Sequence, residues 1–223
     1  FPSPKKHIIK SRERINIIFG GSTSERQVSL MTGTNAWLKL RKSKKYEPHP
    51  YLLDLDDDTV WRLPYSKTLN HTVEEISAMC RAARAAEEHL KPLRRSVLEK
   101  IAAQPGHLNE ELFIPEKMTL KDFIKKSPYV FIGLHGGIGE NGTLQSVLEK
   151  AGIPFNGSGS RASRLCINKF ATGEALKNME KEGIYVPKKE MLPTDTLMDS
   201  TKEELEKMWK YLKKSLESSS IIV

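Results

Sequence analysis

Residues 129–169 read YVFIGLHGGIGENGTLQSVLEKAGIPFNGSGSRASRLCINK, and this stretch decides the fold. It opens on Tyr129-Val130-Phe131-Ile132, a short apolar run closed by glycine, which predicts a buried parallel strand. A glycine loop carrying a histidine and an acid follows, His135-Gly136-Gly137-Ile138-Gly139-Glu140-Asn141-Gly142. Leu144, Val147, Leu148 and Ala151 then recur at helical spacing, and Gly152 stands where a helix stops. Ile153-Pro154-Phe155 reads as a second short strand, and Gly157-Ser158-Gly159 turns the chain into a helix that carries Lys169. Strand, glycine loop, helix, strand, glycine turn, helix is the grammar of an α/β protein handling a nucleotide or a small anion. In such folds the active residues sit just past the carboxyl ends of the strands.

Upstream, Ile15-Asn16-Ile17-Ile18-Phe19 predicts a first buried strand, followed at once by Gly20-Gly21-Ser22-Thr23-Ser24-Glu25-Arg26. Ser22 and Glu25 fit a capping box, so a helix is expected from Thr23 to about Leu40. Glu25 is then either that cap or a ligand-facing acid. Pro50 to Leu55 predicts the second strand, ending in Asp56-Asp57-Asp58, a solvated turn rather than a metal site. From Thr59 to Ser127 a helical insertion is expected. Thr72 to Glu75 caps a helix with Ile76, Met79, Cys80, Ala83 and Ala86 on one face; Pro92 interrupts it and Pro105-Gly106 ends its continuation. Thr119 to Asp122 caps a further short helix. After Lys169 a helix runs through Ala175, Leu176 and Met179 to Gly183, and Ile184-Tyr185-Val186-Pro187 is extended. Ser200 and Glu203 cap a charged helix whose inner face is Leu205, Met208, Trp209 and Leu212, and Ile221-Ile222-Val223 opens another strand.

With 223 residues there is room for one large domain or two small ones. The apolar share of 38% and charged share of 29% fit a soluble globular chain, and no apolar run approaches the ~20 residues of a membrane span. The net charge is +8, yet its densest run, Lys39 to Lys45, sits at a predicted helix end without interleaved aromatics, so nucleic acid is not the expected partner. Two cysteines, Cys80 and Cys166, point to a reducing compartment; Cys166 reads as a core residue. The basic start has no apolar core of a secretory signal and no initiator Met, so the natural N-terminus is expected upstream.

Three blocks in order resemble the D-alanine–D-alanine ligase family of ATP-grasp enzymes. They are Phe19-Gly20-Gly21-Ser22-Thr23-Ser24-Glu25-Arg26-Gln27-Val28-Ser29-Leu30, then Leu134 to Gln145, then Gly152 to Gly159 followed by Ala162-Ser163 and Lys169. The resemblance covers Ile15 to Leu55 and Tyr129 to Val223, leaving the insertion outside. It implies a Rossmann-like, parallel-sheet N-terminal (pre-ATP-grasp) domain over residues 13–158, with the insertion at about 59–127. The start of an ATP-grasp domain would follow over 159–223.

The same resemblance implies a cytoplasmic homodimer that joins two D-alanines for peptidoglycan, with ATP and Mg²⁺, through an acyl phosphate. Glu25 would hold the first substrate's ammonium; His135, Gly136, Gly139 and the loop amides would meet its carboxylate and the phosphate charge. Lys169 would bind an ATP phosphate. Ser29 would touch the substrate or only pack in its helix. Asn141 and Asn168 stand where the family has Asp, keeping shape and losing charge. The second ATP lysine, the lid loop and the Mg²⁺ ligands are expected beyond Val223. Two other readings remain open, a D-Ala–D-X ligase with D-lactate or D-serine as second substrate, and a non-catalytic amino-acid or nucleotide-binding module.

Overall fold

Strand β1 (Glu13–Gly20) lies between two parallel neighbours, β2 (Tyr46–Leu53) and β5 (Val130–Ile132). Ile17, Ile18 and Phe19 have no exposed surface, so both faces of β1 are covered, as the unbroken apolar run requires. In this computed structural model, residues 12–64, 67–68, 71–100 and 114–221 are described. Helices α1 (Arg26–Leu40) and α2 (Val73–Lys100) cover one face. Leu30, Trp37, Val73, Ile76 and Cys80 pack there on Ile15, Ile17 and Phe19. The other face buries Ile18, Tyr51, Leu53 and Val130 under α3 (Leu120–Lys125) and α5 (Thr143–Ala151), through Phe123, Ile124, Leu144 and Leu148. The expected α/β class with a mostly parallel sheet is what the structure has.

The stretch expected to be only a helical insertion also completes the sheet. β3 (Thr59–Arg62) pairs antiparallel with β2, and β4 (Glu116–Thr119) pairs antiparallel with β3, giving the order β4-β3-β2-β1-β5. α2 runs from Val73 to Lys100 straight through Pro92 instead of being interrupted there. Proline deletes one backbone hydrogen bond. Ion pairs from Arg84 to Glu87 and Glu88, and from Lys91 to Glu88, bridge the turns just before it. The expected helix end at Pro105-Gly106 lies outside the described residues. The capping box foreseen at Thr72 and the cap foreseen at Thr119 form: each hydroxyl accepts the amide three residues on, at 3.2 Å and 3.1 Å. Ile153-Pro154-Phe155 forms one parallel bridge, Val130 to Phe155, rather than a strand.

Asp54 joins the parallel and antiparallel parts. Its buried carboxylate accepts from Leu55 N, Trp61 Nε1, Ser77 Oγ and Arg81, at 2.9, 3.1, 2.8 and 2.8 Å. Burial alone pushes this carboxyl up, but the four donors outweigh it and hold it below the usual carboxylate range. On α2, burial pushes the Cys80 thiol up to about 12, so it behaves as a small apolar core residue. Cys166, expected in the core, is exposed instead, because α6 (Ser160–Cys166) buries none of its residues.

The chain divides into two compact units, Phe1–Arg164 and Leu165–Val223, with the division inside α6. The second unit contains α7 (Lys169–Leu176), α8 (Thr194–Met198) and α9 (Lys202–Ser215). α9 begins one residue later than expected, with Thr201 and Glu204 making the capping box. Its expected inner residues Leu205 and Trp209 remain 40% and 41% exposed. Ile221 lies outside any strand, and Ile222-Val223 lie outside the described residues. No helix among the described residues is long and apolar enough to cross a membrane.

Asp54→Ala leaves the Trp61 and Ser77 donors without their acceptor, and should cost about 3 kcal/mol of unfolding free energy in a urea titration. A carboxylate held low stabilises the fold above its unfolded pKa and loses that contribution as pH falls through its folded value. The wild type should therefore weaken across the acid side of the carboxylate range, while the variant's stability varies less there.

Candidate functional site

Close approach of α1 to the sheet builds the site. A Cβ added to Gly33 would stand 2.3 Å from Phe19 Cδ1, and one on Gly133 would stand 3.3 Å from Gly33 Cα. Only glycine permits this contact, which sets α1 against the exits of both β1 and β5. Ser29, one turn earlier on the same helix, then reaches both exits. Its buried hydroxyl accepts from Gly20 N at 2.8 Å and donates to Gly133 O at 2.9 Å. That geometry commits the hydroxyl's only proton to Gly133.

The loop after β1 does not fold as a capping box. α1 starts at Arg26 with Glu25 in the cap position and no side-chain cap bond. Asp57 takes Ser22 instead: its carboxylate accepts from Ser22 N at 3.1 Å and Ser22 Oγ at 2.6 Å. The aspartate turn is thus partly a clamp on the glycine loop. Glu25, freed from capping, is exposed, and its Oε2 would lie 3.2 Å from a Cβ on Gly136. Thr23 Oγ1 donates to His135 O at 2.8 Å, stitching the two loops together.

His135 leaves the end of β5 with its side chain about one-third exposed. Its Nε2 is 2.9 Å from Thr32 Oγ1, and its Nδ1 is 4.0 Å from Glu140 Oε1. Gly136 and Gly137, at φ +68° and +48°, turn the chain into α4 (Gly137–Glu140). Gly139 is buried against Leu134, donates N–H to Gly136 O at 3.1 Å and accepts Gln145 Nε2 at 2.6 Å. Glu25, His135 and Gly136 therefore meet at the carboxyl ends of β1 and β5, with Ser29 and Gly139 holding the backbone behind them.

Lys169 belongs to the second unit, as the first residue of α7 rather than part of the helix after Gly159. Asn168 breaks the two helices apart by capping α7, accepting from Ala171 N at 2.9 Å. Asn141 likewise accepts from Thr143 N at 2.9 Å at the start of α5. Asn168 makes a helix cap and Asn141 a turn bond just before α5, and both need shape and not charge. A cavity of about 880 Å³ in the second unit is lined by Lys169, Thr172, Lys188, Lys189, Glu217 and Ser218, with Lys188 paired to Glu217 at 2.6 Å and Lys189 donating to Lys169 O at 2.8 Å. Among the described residues, no group of three His, Cys, Asp or Glu could hold a metal.

Sequence reading missed Thr23, Thr32, Asp57 and Gln145. Thr32 had a usable signal, since it lies three residues after Ser29 and so on the same helical face. Asp57 had none, because its partner is 35 residues away. Ser29→Ala strips Gly20 N of its acceptor. It should lower stability by about 2 kcal/mol, with faster hydrogen exchange at the Gly20 amide than at Ile18.

Residues 14–158 match the family described as D-ala D-ala ligase N-terminus, straight through the insertion that the motif resemblance left out. A D-alanine–D-alanine ligase of Chlorobaculum tepidum is 29% identical over 163 residues, covering 73% of this chain and 40% of its own length. The solved D-alanine-D-alanine ligase from Coxiella burnetii superposes with a TM-score of 0.56 at 21% identity, over 93% of this chain and 51% of its own. The VanG D-Ala:D-Ser ligase from Enterococcus faecalis does so at 0.50 and 21%, over 91% and 50%. The chain spans about two fifths of the length of the curated relatives it matches. With its match extending over most of the first compact unit, the chain belongs to the D-ala D-ala ligase N-terminus family.

Proposed function

We propose that this chain forms the part of a D-alanine–D-alanine ligase that receives the first D-alanine. The observation that carries the reading is the meeting of Glu25, His135 and Gly136 at the carboxyl ends of two parallel strands. A free amino acid offers an ammonium and a carboxylate a few bonds apart. Glu25 supplies the anion for the ammonium. The Nδ1–H of His135 and the first amides of the Gly136 loop supply donors for the carboxylate, since the loop commits Gly139 N and Asn141 N to its own carbonyls.

A carboxylate is a poor electrophile until one oxygen becomes a leaving group. ATP supplies that change: its γ-phosphoryl group passes to the carboxylate oxygen, and the amine of a second D-alanine displaces phosphate to make the amide. Lys169, beside Lys188 and Lys189, is the residue of this chain proposed to hold an ATP phosphate. Mg²⁺ is expected from the rest of the enzyme, proposed as a cytoplasmic homodimer serving peptidoglycan synthesis. The second substrate is not chosen by the fold, which the D-Ala:D-Ser ligase shares.

Glu25→Gln keeps the shape of the side chain and removes its charge. In the full-length protein it should lower kcat/KM for D-alanine-dependent ATP turnover by about a hundredfold. Unchanged turnover would remove Glu25 from the site; no turnover in the wild type at saturating D-alanine and Mg²⁺–ATP would favour a binding module instead.

A further inference from the structure

Helix α1 carries two threonines two residues apart that behave differently. Thr34 does what a helical threonine ordinarily does, donating its hydroxyl to Leu30 O at 2.8 Å within the same helix. Thr32 reaches across to another element, where its Oγ1 stands 2.9 Å from His135 Nε2. The reason is the placement of α1. Gly33, between them, sits almost in contact with Phe19 and Gly133, so the helix face bearing Ser29 and Thr32 lies over the exit of β5. Ser29 takes Gly133 O, and Thr32, three residues on, takes the side chain of the residue two beyond Gly133. A three-residue step along a helix is thereby matched to a two-residue step along an extended chain. The other side of the imidazole faces acid, with Glu140 Oε1 4.0 Å from Nδ1, and Thr23 fixes the His135 carbonyl.

We propose that Thr32 is a positioning residue for His135: its hydroxyl donates to Nε2 and so keeps the ring proton on Nδ1, facing Glu140. A neutral imidazole carries its proton on one nitrogen, and the hydrogen bond at the other selects which. A carboxylate near Nδ1 favours a proton there, leaving Nε2 as an acceptor for the Thr32 hydroxyl. A hydroxyl can donate or accept, so the carboxylate favours the tautomer and the Thr32 hydroxyl, donating to Nε2, holds it. The Thr32 bond also fixes the plane of a side chain that is one-third exposed and would otherwise rotate. The value of this arrangement to the first substrate rests on the proposed function, whereas the tautomer does not.

The test is ¹⁵N NMR of the histidine side chains in the full-length protein without substrate, at a pH where His135 is neutral. Wild type should show His135 protonated on Nδ1. Thr32→Val, which keeps the branched shape and loses the hydroxyl, should show a mixture of tautomers or the Nε2–H form, and Thr32→Ser should restore the wild-type pattern. KM for D-alanine should rise about fivefold in Thr32→Val, with kcat changed less, and return in Thr32→Ser. An Nε2–H imidazole in wild type, or a Thr32→Val spectrum indistinguishable from wild type, would overturn the proposal; the wild-type measurement decides even if the valine variant fails to fold. A shifted tautomer with an unmoved KM would support the positioning role and overturn instead the place of His135 in the substrate site.

Discussion

The approach of α1 to β1 at Gly33 is the constraint on which the rest of the site depends. Without a side chain there, the helix settles onto Phe19 closely enough that its inner face meets two strand exits at once. Ser29 closes the gap between those exits with one hydroxyl, and Glu25 and Thr32 flank it on the same helix. Any larger residue at position 33 would lift α1, and all three side chains would withdraw together. The imidazole and the glycine loop are tied to α1 and to the loop after β1 through Thr32 and Thr23, which suits the proposed role of orienting a small zwitterion.

Much of the fold was legible because its signals are local. Ile17 to Phe19 and Val130 to Ile132 are apolar without alternation, as a strand covered on both faces requires, and both lie in strands of the sheet. The antiparallel edge was hidden. Thr59-Val60-Trp61-Arg62 is four residues long, and Glu116-Lys117-Met118-Thr119 is nearly all polar on an exposed margin. What places them is tertiary: Asp54 gathers Trp61 from β3 with Ser77 and Arg81 from α2 around one buried carboxylate. A single sequence does not announce that convergence.

The site was legible as a set of residues, less so as a set of contacts. Glu25, His135 and Gly136 could be picked out because the motif blocks that hold them resemble one family; a glycine pair after a strand is a weak signal alone, and Glu25 read equally well as a cap. The capping box at Ser22 was a sound local reading that a distant group defeated, since the two carboxylate oxygens of Asp57 accept both Ser22 N and Ser22 Oγ, whereas a helix start would have offered the hydroxyl only an N–H to accept. Ser29 shows the converse. Its place in the motif left substrate contact and packing open, and the structure spends its proton on Gly133. Asn141 keeps a turn bond and Asn168 a capping bond that an aspartate would also make, so the local backbone does not depend on the charge.

The central claim is that Glu25 and the His135–Gly136 loop form one receptor for a single D-amino acid. The most direct measurement is a ¹H–¹⁵N NMR titration of the full-length protein with D-alanine and, separately, with L-alanine. The account predicts that amides of Gly21, Glu25, Gly136 and Gly137 move together on one binding curve with D-alanine and stay nearly still with L-alanine. Equal responses to both enantiomers, or shifts confined to residues away from β1 and β5, would contradict it.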